Sequence, residues 1–372
     1  MRRLAKGGGI VKTELMKTSG DADVATLRLS SHCERCAVVR AKDGGTERFP
    51  SEPDGEGEAV VLSRFVFGDR GSGGQFQKAM GALGGRFTWL EGDVAQGGKI
   101  YATQSFAVSG SKPQSVKVDG RGSCFVYEDE HARYCRMGGV TVEDPRLLRA
   151  EQTRLVFEII SAAMARCGFR FTDTARTWFY LDNLLDWYGE FNKVRTTFFE
   201  EMGVFDKMVP ASTGIGAANS WGTAIIADVL AVQPKSDAVT IRPVASPLQG
   251  SAMSYKSSFS RAVEVAFPTH RRLLISGTAS IDKEGKSVHL GDAARQIELT
   301  MRVAEALLAS RGMGWDDACR GVAYVKNIDD LRLLDQYCAD RRIPCFPLAV
   351  AQVDICRGDL LFEIELDAVK VS

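Results

Sequence analysis

Apolar and polar residues alternate strictly along the closing stretch of the chain. In CRGDLLFEIELDAV, Leu360, Phe362, Ile364, Leu366 and Ala368 share one face, and Glu363, Glu365 and Asp367 share the other. A period of two marks a strand with different surroundings on its two sides. Elsewhere the period is helical. Residues 151–183 and 295–327 each open on about fifteen residues with apolar positions at helical spacing. Each then passes a glycine placed for a helix C-cap, Gly168 or Gly312, turns at an aspartate and enters a strand, RTWFYL or GVAYVK. A second helical segment follows each strand, NLLDWYGEFNKVRTTFFEEM and DDLRLLDQYCADR, and the chain then returns to strands.

These two stretches align without a gap at a constant offset of 144 residues. Gln152 meets Gln296, Gly168 meets Gly312, Asp173 meets Asp317, Arg176 meets Arg320, Tyr180 meets Tyr324 and Asn183 meets Asn327. Register kept through a helix, a turn and a strand marks a duplicated unit. SFSRAVEV and RLLISGTASI lead into the second copy, and KIYATQSFAVSG and SVKVDG, looser in pattern, lead into the first. The pattern predicts an α+β chain of two tandem domains, residues 1–204 and 205–372, each a mixed sheet with two helices packed on one face. Residues 41–60, rich in Gly, Pro and charge, read as a mobile loop. The glycine-rich GDRGSGGQFQK lacks the order of a phosphate-binding loop.

A length of 372 residues suits two domains. The net charge is zero, which removes the electrostatic case for nucleic acid or an anionic membrane surface. No apolar run reaches the roughly 18 residues of a spanning helix. The basic start lacks the apolar core of a secretory signal. Nine cysteines, an odd number without framework spacing, fit a reducing cytoplasm. Cys33 and Cys36 form a CxxC pair, but Cys124 and Cys135 are not placed to complete a zinc site. The pair reads as a free-thiol turn between strands, and neither metal nor cofactor is expected. Arg357-Gly358-Asp359 reads as a hairpin turn.

The second copy resembles the RidA/YjgF family of reactive-intermediate (enamine/imine) deaminases in LLISGTASID, GDAARQIELTMRVAEALLASRGMGWDD, VAYVKNIDDL and LLFEIELDAV. That resemblance implies a chorismate-mutase-like fold with ligand sites between neighbouring domains, in a family that usually forms trimers. Over roughly residues 125–372 the chain resembles the chorismatases, two-domain relatives of the same fold. Chorismatases convert chorismate to hydroxybenzoate or a dihydroxylated cyclohexadiene carboxylate, with release of pyruvate. The likeness rests on ARTWFYLDNLL, EFNKVR, PASTGIG, SPLQGSAMSY, SFSRA, SGTASI and CRGDLLFEIE. The family's closing motif sets a cysteine or alanine seven positions before an acid-base glutamate. Cys356 and Glu363 occupy those positions here, and the cysteine form goes with hydroxybenzoate. The chain departs from the pattern at Trp187-Tyr188-Gly189-Glu190, where the family has more arginine, and in a shortened stretch between SPLQ and SFSRA. The simple deaminases also carry an arginine before the glutamate where this chain has Pro347-Leu348-Ala349.

Cleaving an enol ether needs a proton, and a partly buried glutamate is able to hold one near neutral pH. Glu363 is the expected general acid, with Cys356 beside it. Arg176, Arg195 and Arg261 are expected to grip substrate carboxylates, since guanidinium matches carboxylate in a bidentate fork. Backbone N–H groups of Thr213, Gly214 and Gly216 are candidate oxyanion donors, and Tyr255 a candidate hydroxyl. Glu365 and Asp367 are expected nearer solvent. The site would lie between the domains. The expected function is a chorismatase-like enzyme acting on chorismate or a related cyclic carboxylate. The alternatives are a non-catalytic small-metabolite-binding RidA-like protein and an enamine/imine deaminase-type hydrolase. The expected partner is a small-molecule carboxylate in the cytoplasm, with no nucleic acid and no membrane; self-association is left open.

Overall fold

Three six-stranded sheets follow one another along the chain and share one strand order. A computed structural model describes residues 14–18, 22–40, 59–83, 87–92, 100–255 and 257–371. The first sheet holds β1 (Glu14–Thr18), β2 (Asp23–Arg28), β3 (Cys33–Arg40), β4 (Val60–Asp69), β5 (Thr88–Gly92) and β6 (Ile100–Ser109), with α1 (Gly73–Leu83) between β4 and β5. The second holds β7 (Gln114–Val116), β8 (Arg121–Glu128), β9 (Ala132–Thr141), β10 (Thr174–Leu181), β11 (Ala211–Gly216) and β12 (Ile225–Pro234). Helix α2 (Arg149–Arg166) precedes β10, and α3 (Leu184–Glu201) and the single turn α4 (Val204–Lys207) follow it. The third holds β13 (Thr240–Val244), β14 (Ala262–Ala266), β15 (His270–Ala279), β16 (Ala318–Val325), β17 (Leu348–Gln352) and β18 (Phe362–Val371), with α5 (Ala293–Ala309) and α6 (Leu331–Asp340) on either side of β16. In each sheet the spatial order is first, second, third, sixth, fourth, fifth. The fourth and fifth strands are parallel and joined across a helix.

The duplicated pattern therefore describes the second and third units, and the first is a further copy of the same strand order. KIYATQSFAVSG is β6, which closes the first sheet rather than leading into the second. The division at 204/205 falls at the start of α4, yet β11 and β12 pair with β10 and β9 in the second sheet. A strand that follows a crossover helix returns to the sheet it left, so the second unit runs on to Pro234. Cys33 and Cys36 lie within β3, paired on both sides, and not in a turn. Arg357-Gly358-Asp359 is a turn, closed by the Leu360 N–H donating to the Arg357 carbonyl at 3.2 Å. Residues 41–58, expected as a loop, lie outside the described residues. Among the described residues no helix is long and apolar enough to cross a membrane.

The inner faces of the three sheets pack on one another. Phe65 and Phe67, Trp178 and Tyr180, and Val322 and Tyr324 belong to one buried cluster. Tyr180 and Tyr324, equivalent in the repeat, meet hydroxyl to hydroxyl at 3.5 Å. The outer faces are roofed by helices. Ile297, Met301, Ala304 and Leu308, one apolar stripe of α5, pack on the third sheet with Phe362, Ile364, Leu366 and Ala368. Phe157, Ile160, Phe191 and Phe198 do the same for the second. In a lone α+β layer the opposite face of β18 would be wet. Here it is turned inward, so Glu365 is fully buried and Asp367 largely so, contrary to the solvent-facing expectation.

Candidate active site

Three carboxylates leave the inward face of β18 and meet three environments. Glu365 is neutralised. Arg176 Nη2 reaches its Oε2 at 2.8 Å, Arg320 Nη2 its Oε1 at 2.6 Å, and Trp178 Nε1 donates to Oε1 at 2.9 Å. The Thr213 hydroxyl donates to Oε2 as well. Burial alone would raise the Glu365 pKa, but the two guanidiniums and the Thr213 hydrogen bond outweigh it and hold the carboxyl below its usual range. Asp367 takes the other arm of Arg320 at 3.5 Å.

Glu363 faces a cavity of about 200 Å3. Only 4% of it is exposed. Burial, and then the negative charge of Glu365, push its pKa up to about 8, while Arg176 and Arg261 pull the other way without cancelling the rise. At neutral pH it therefore carries a proton. Its position depends on Gly277. A Cβ at that residue would lie 2.0 Å from Glu363 Oε1. Gly277→Ala is expected to displace the carboxyl and remove most activity while the circular dichroism spectrum stays that of wild type. Full activity in that variant would separate the Glu363 position from the chemistry.

Both the second and third units build the cavity. Tyr188, Asn192 and Arg195 come from α3, and Ser212 and Gly214 from β11. Gly277 and Ala279 come from β15, Glu363 from β18, and Cys356 and Arg357 from the turn before it. Phe259 and Arg261 lie just ahead of β14. The two units are stitched at this edge by the Ser212 N–H donating to Ser276 Oγ at 2.9 Å and the Gly277 N–H donating to Thr213 Oγ1 at 3.1 Å. The equivalent strand positions show why this cleft differs from its counterparts. Tyr324, Tyr180 and Phe67 stand opposite Glu363, Ile226 and Ala102 in their sheets. Only the third unit places an ionisable group there.

Glu363, Cys356, Arg195, Arg261 and Gly214 are thus brought together as the sequence suggested. Arg195 donates from Nη2 to Asn192 Oδ1 at 2.6 Å, and Arg261 from Nε to the Gly250 carbonyl at 3.0 Å. Burial and the nearby Glu363 push the Cys356 thiol up to about 12, so it lines the wall as a neutral thiol. Arg176 does not line the cavity: it is committed to Glu365 and Thr213. Thr213, a candidate through its N–H, does not line the cavity either, and its hydroxyl goes to Glu365. The Gly216 N–H donates to the Asp354 carbonyl at 2.7 Å, which removes it as an oxyanion donor. Tyr255 ends the short helix Ala252–Tyr255, and its side chain lies outside those described. Arg357, read in the sequence only as part of a turn, lines the cavity and is braced from Nη1 by the Gly285 carbonyl at 2.8 Å. Its place beside Cys356 was the available signal. Asn192 sat unremarked within EFNKVR. A second cavity of about 70 Å3, where all three sheets meet, is walled mainly by apolar side chains. Its charged residues include Glu34 with Arg272 and Arg320 with Asp367, which are already paired with each other.

No family model matches the chain. A chorismatase crystal structure superimposes on 90% of this chain and 98% of that one, with a TM-score of 0.67 at 21% identity. The chain has the chorismatase fold. In sequence it is 29% identical over 212 residues to a chorismatase of Streptomyces rapamycinicus, a match covering 51% of this chain and 62% of that protein. It is 24% identical over 238 residues to a 3-hydroxybenzoate synthase of Streptomyces hygroscopicus, covering 58% and 68%. The chain spans less than two-thirds of the length of the chorismatases it matches in sequence. Each of its three mixed α/β units pairs a six-stranded sheet with helices, and in the second and third units these helices cover the outer face.

Proposed function

We propose that this protein cleaves the enolpyruvyl ether of chorismate, or of a closely related cyclic carboxylate, and releases pyruvate in the cleft between the second and third units. The observation that carries the reading is a buried glutamate, its pKa pushed up by burial and by Glu365, facing a cavity lined by three arginines. The named chorismatase relatives support it. Arg195, Arg261 and Arg357 supply the positive charge that a dicarboxylate requires. Glu363 donates its proton to the methylene carbon of the enol ether, which places the developing positive charge on the ether carbon. The bond between the ether oxygen and the ring carbon then breaks, its electron pair going to that oxygen, which becomes the ketone of pyruvate. The ring cation left behind gives up a ring proton to the Glu363 carboxylate as it becomes the aromatic hydroxybenzoate, which restores the acid. The low exposure of the site keeps bulk water from competing and strengthens each polar contact. Cys356, neutral and small, shapes the wall beside Glu363 and points to hydroxybenzoate as the ring product. All nine cysteines are free thiols, which suits a reducing compartment, and we place the reaction in the cytoplasm.

Two measurements probe this arrangement. Because the acting form of Glu363 is protonated, activity is expected to be full below about 8 and to fall as pH rises through that value. A rate that rises through that range would assign the opposite protonation state. Arg195→Ala is expected to raise KM by roughly 10- to 100-fold, the worth of a hydrogen bond to a charged group, with an unchanged melting temperature. An unaltered KM would remove Arg195 from substrate binding.

A further inference from the structure

Away from the cleft, on the helix-covered face of the second sheet, three thiols converge. Cys124 lies on β8, Cys135 on β9, and Cys167 directly follows α2. Cys124 Sγ is 3.7 Å from Cys135 Sγ and 4.0 Å from Cys167 Sγ, and all three sulfurs fall within 4.8 Å of one another. Metal–thiolate bonds of about 2.3 Å at tetrahedral angles set neighbouring sulfurs roughly 3.8 Å apart. Two edges of the triangle therefore already match such a site, and the third is no longer than 4.8 Å.

The fold does not require thiols at these positions. Strand registers and the repeat offset place Ala262, Leu273 and Arg311 at the equivalent points of the third unit. That unit packs the same helix on the same strands with no thiol at any of these three points. Two guanidiniums lie near the triangle, of which Arg166 is already paired with Asp119. Arg133 donates from Nη2 to the Cys167 carbonyl at 2.7 Å, capping the end of α2, and Arg166 immediately precedes Cys167. Cys124 and Cys135 are fully buried, whereas Cys167 is half-buried and gives an approach from solvent.

We propose that Cys124, Cys135 and Cys167 form a three-thiolate site for one soft metal ion of the zinc(II) class, with water completing the tetrahedron on the Cys167 side. Each thiol releases its proton as the ion binds, so three thiolates face one dication beside two arginines. The ion ties the end of α2 to two strands of the second sheet and is separate from the proposed catalytic cleft.

The test uses the full chain, reduced and freed of metal with a chelator, then titrated with cobalt(II). One equivalent is expected to produce sulfur-to-cobalt charge-transfer absorption and the visible bands of a tetrahedral ion, and zinc(II) is expected to displace it and raise the melting temperature. Cys167→Ser, at a half-exposed position, and Cys124→Ala, which installs the residue of the third unit, are each expected to abolish the signal. Cys33→Ser is expected to keep it. A wild-type protein without the charge-transfer band, or a band that survives in either Cys167→Ser or Cys124→Ala, overturns the proposal.

Discussion

Glu363→Gln is expected to lower pyruvate release from chorismate by roughly 100- to 10,000-fold, the usual range for a positioned general acid. The substitution keeps the shape of a side chain that is already neutral at physiological pH, so the melting temperature is expected to stay near that of wild type. The loss belongs in kcat, because glutamine is able to hold the same place against the substrate and lacks only the transferable proton. The physical basis is specific to this position. The other two carboxylates of β18 are drawn to Arg176 and Arg320, while Glu363 is left against Gly277 and the cavity. A variant that retains more than about a tenth of the wild-type rate would exclude Glu363 as the proton donor, since general acid catalysis contributes at least ~100-fold.

Glu365→Gln has its main effect on the fold. Glu365 compensates Arg176 and Arg320, two guanidiniums with almost no exposure. Removing its charge leaves them in a low-dielectric interior, and breaking a buried pair from one side costs about 3–5 kcal/mol. Urea unfolding is expected to show that loss as a lower midpoint. A change under about 1 kcal/mol, the size of an exposed pair, would show that water reaches the network. The pair also carries a pH dependence. The folded-state pKa of Glu365 is lowered, so its contribution is present above the unfolded value of about 4.3 and is lost as pH falls through the lower folded value. The same substitution removes the negative charge that helps hold the Glu363 proton. The alkaline limb of the activity profile is therefore expected to move to lower pH in whatever fraction remains folded.

Much of the architecture was legible because both periods are clean. The offset alignment placed α2, β10 and α3 opposite α5, β16 and α6, and the strict alternation of β18 separated its helix-facing residues from its acidic ones. The first sheet was hidden for a physical reason. Its one described helix, α1, is short, and the stretch linking β3 to β4 is a run of Gly, Pro and charge with no helical period. Its kinship shows only in hydrogen-bonded strand order, which sequence spacing does not encode. The same gap misassigned the acidic face: without a third sheet to close the interior, Glu365 and Asp367 read as wetted.

The site was legible where side chains act one by one and obscure where they act in pairs. Glu363, Cys356, Arg195 and Arg261 converge as the resemblance to the chorismatases implied. Arg176 and Thr213 have the right chemistry for an anion, but the anion they meet is Glu365, part of the protein itself. No linear pattern distinguishes an arginine reserved for a substrate from one already answered by a carboxylate 189 residues away. Gly277 was equally silent, since its importance lies in an oxygen from another strand resting above its Cα.

The most direct test is to incubate the purified full chain with chorismate and follow pyruvate and ring product together, with Glu363→Gln alongside. Stoichiometric pyruvate and a hydroxybenzoate are expected from the wild type and neither from the variant. Wild-type protein that binds chorismate, seen as a raised melting temperature, yet releases no pyruvate would contradict it.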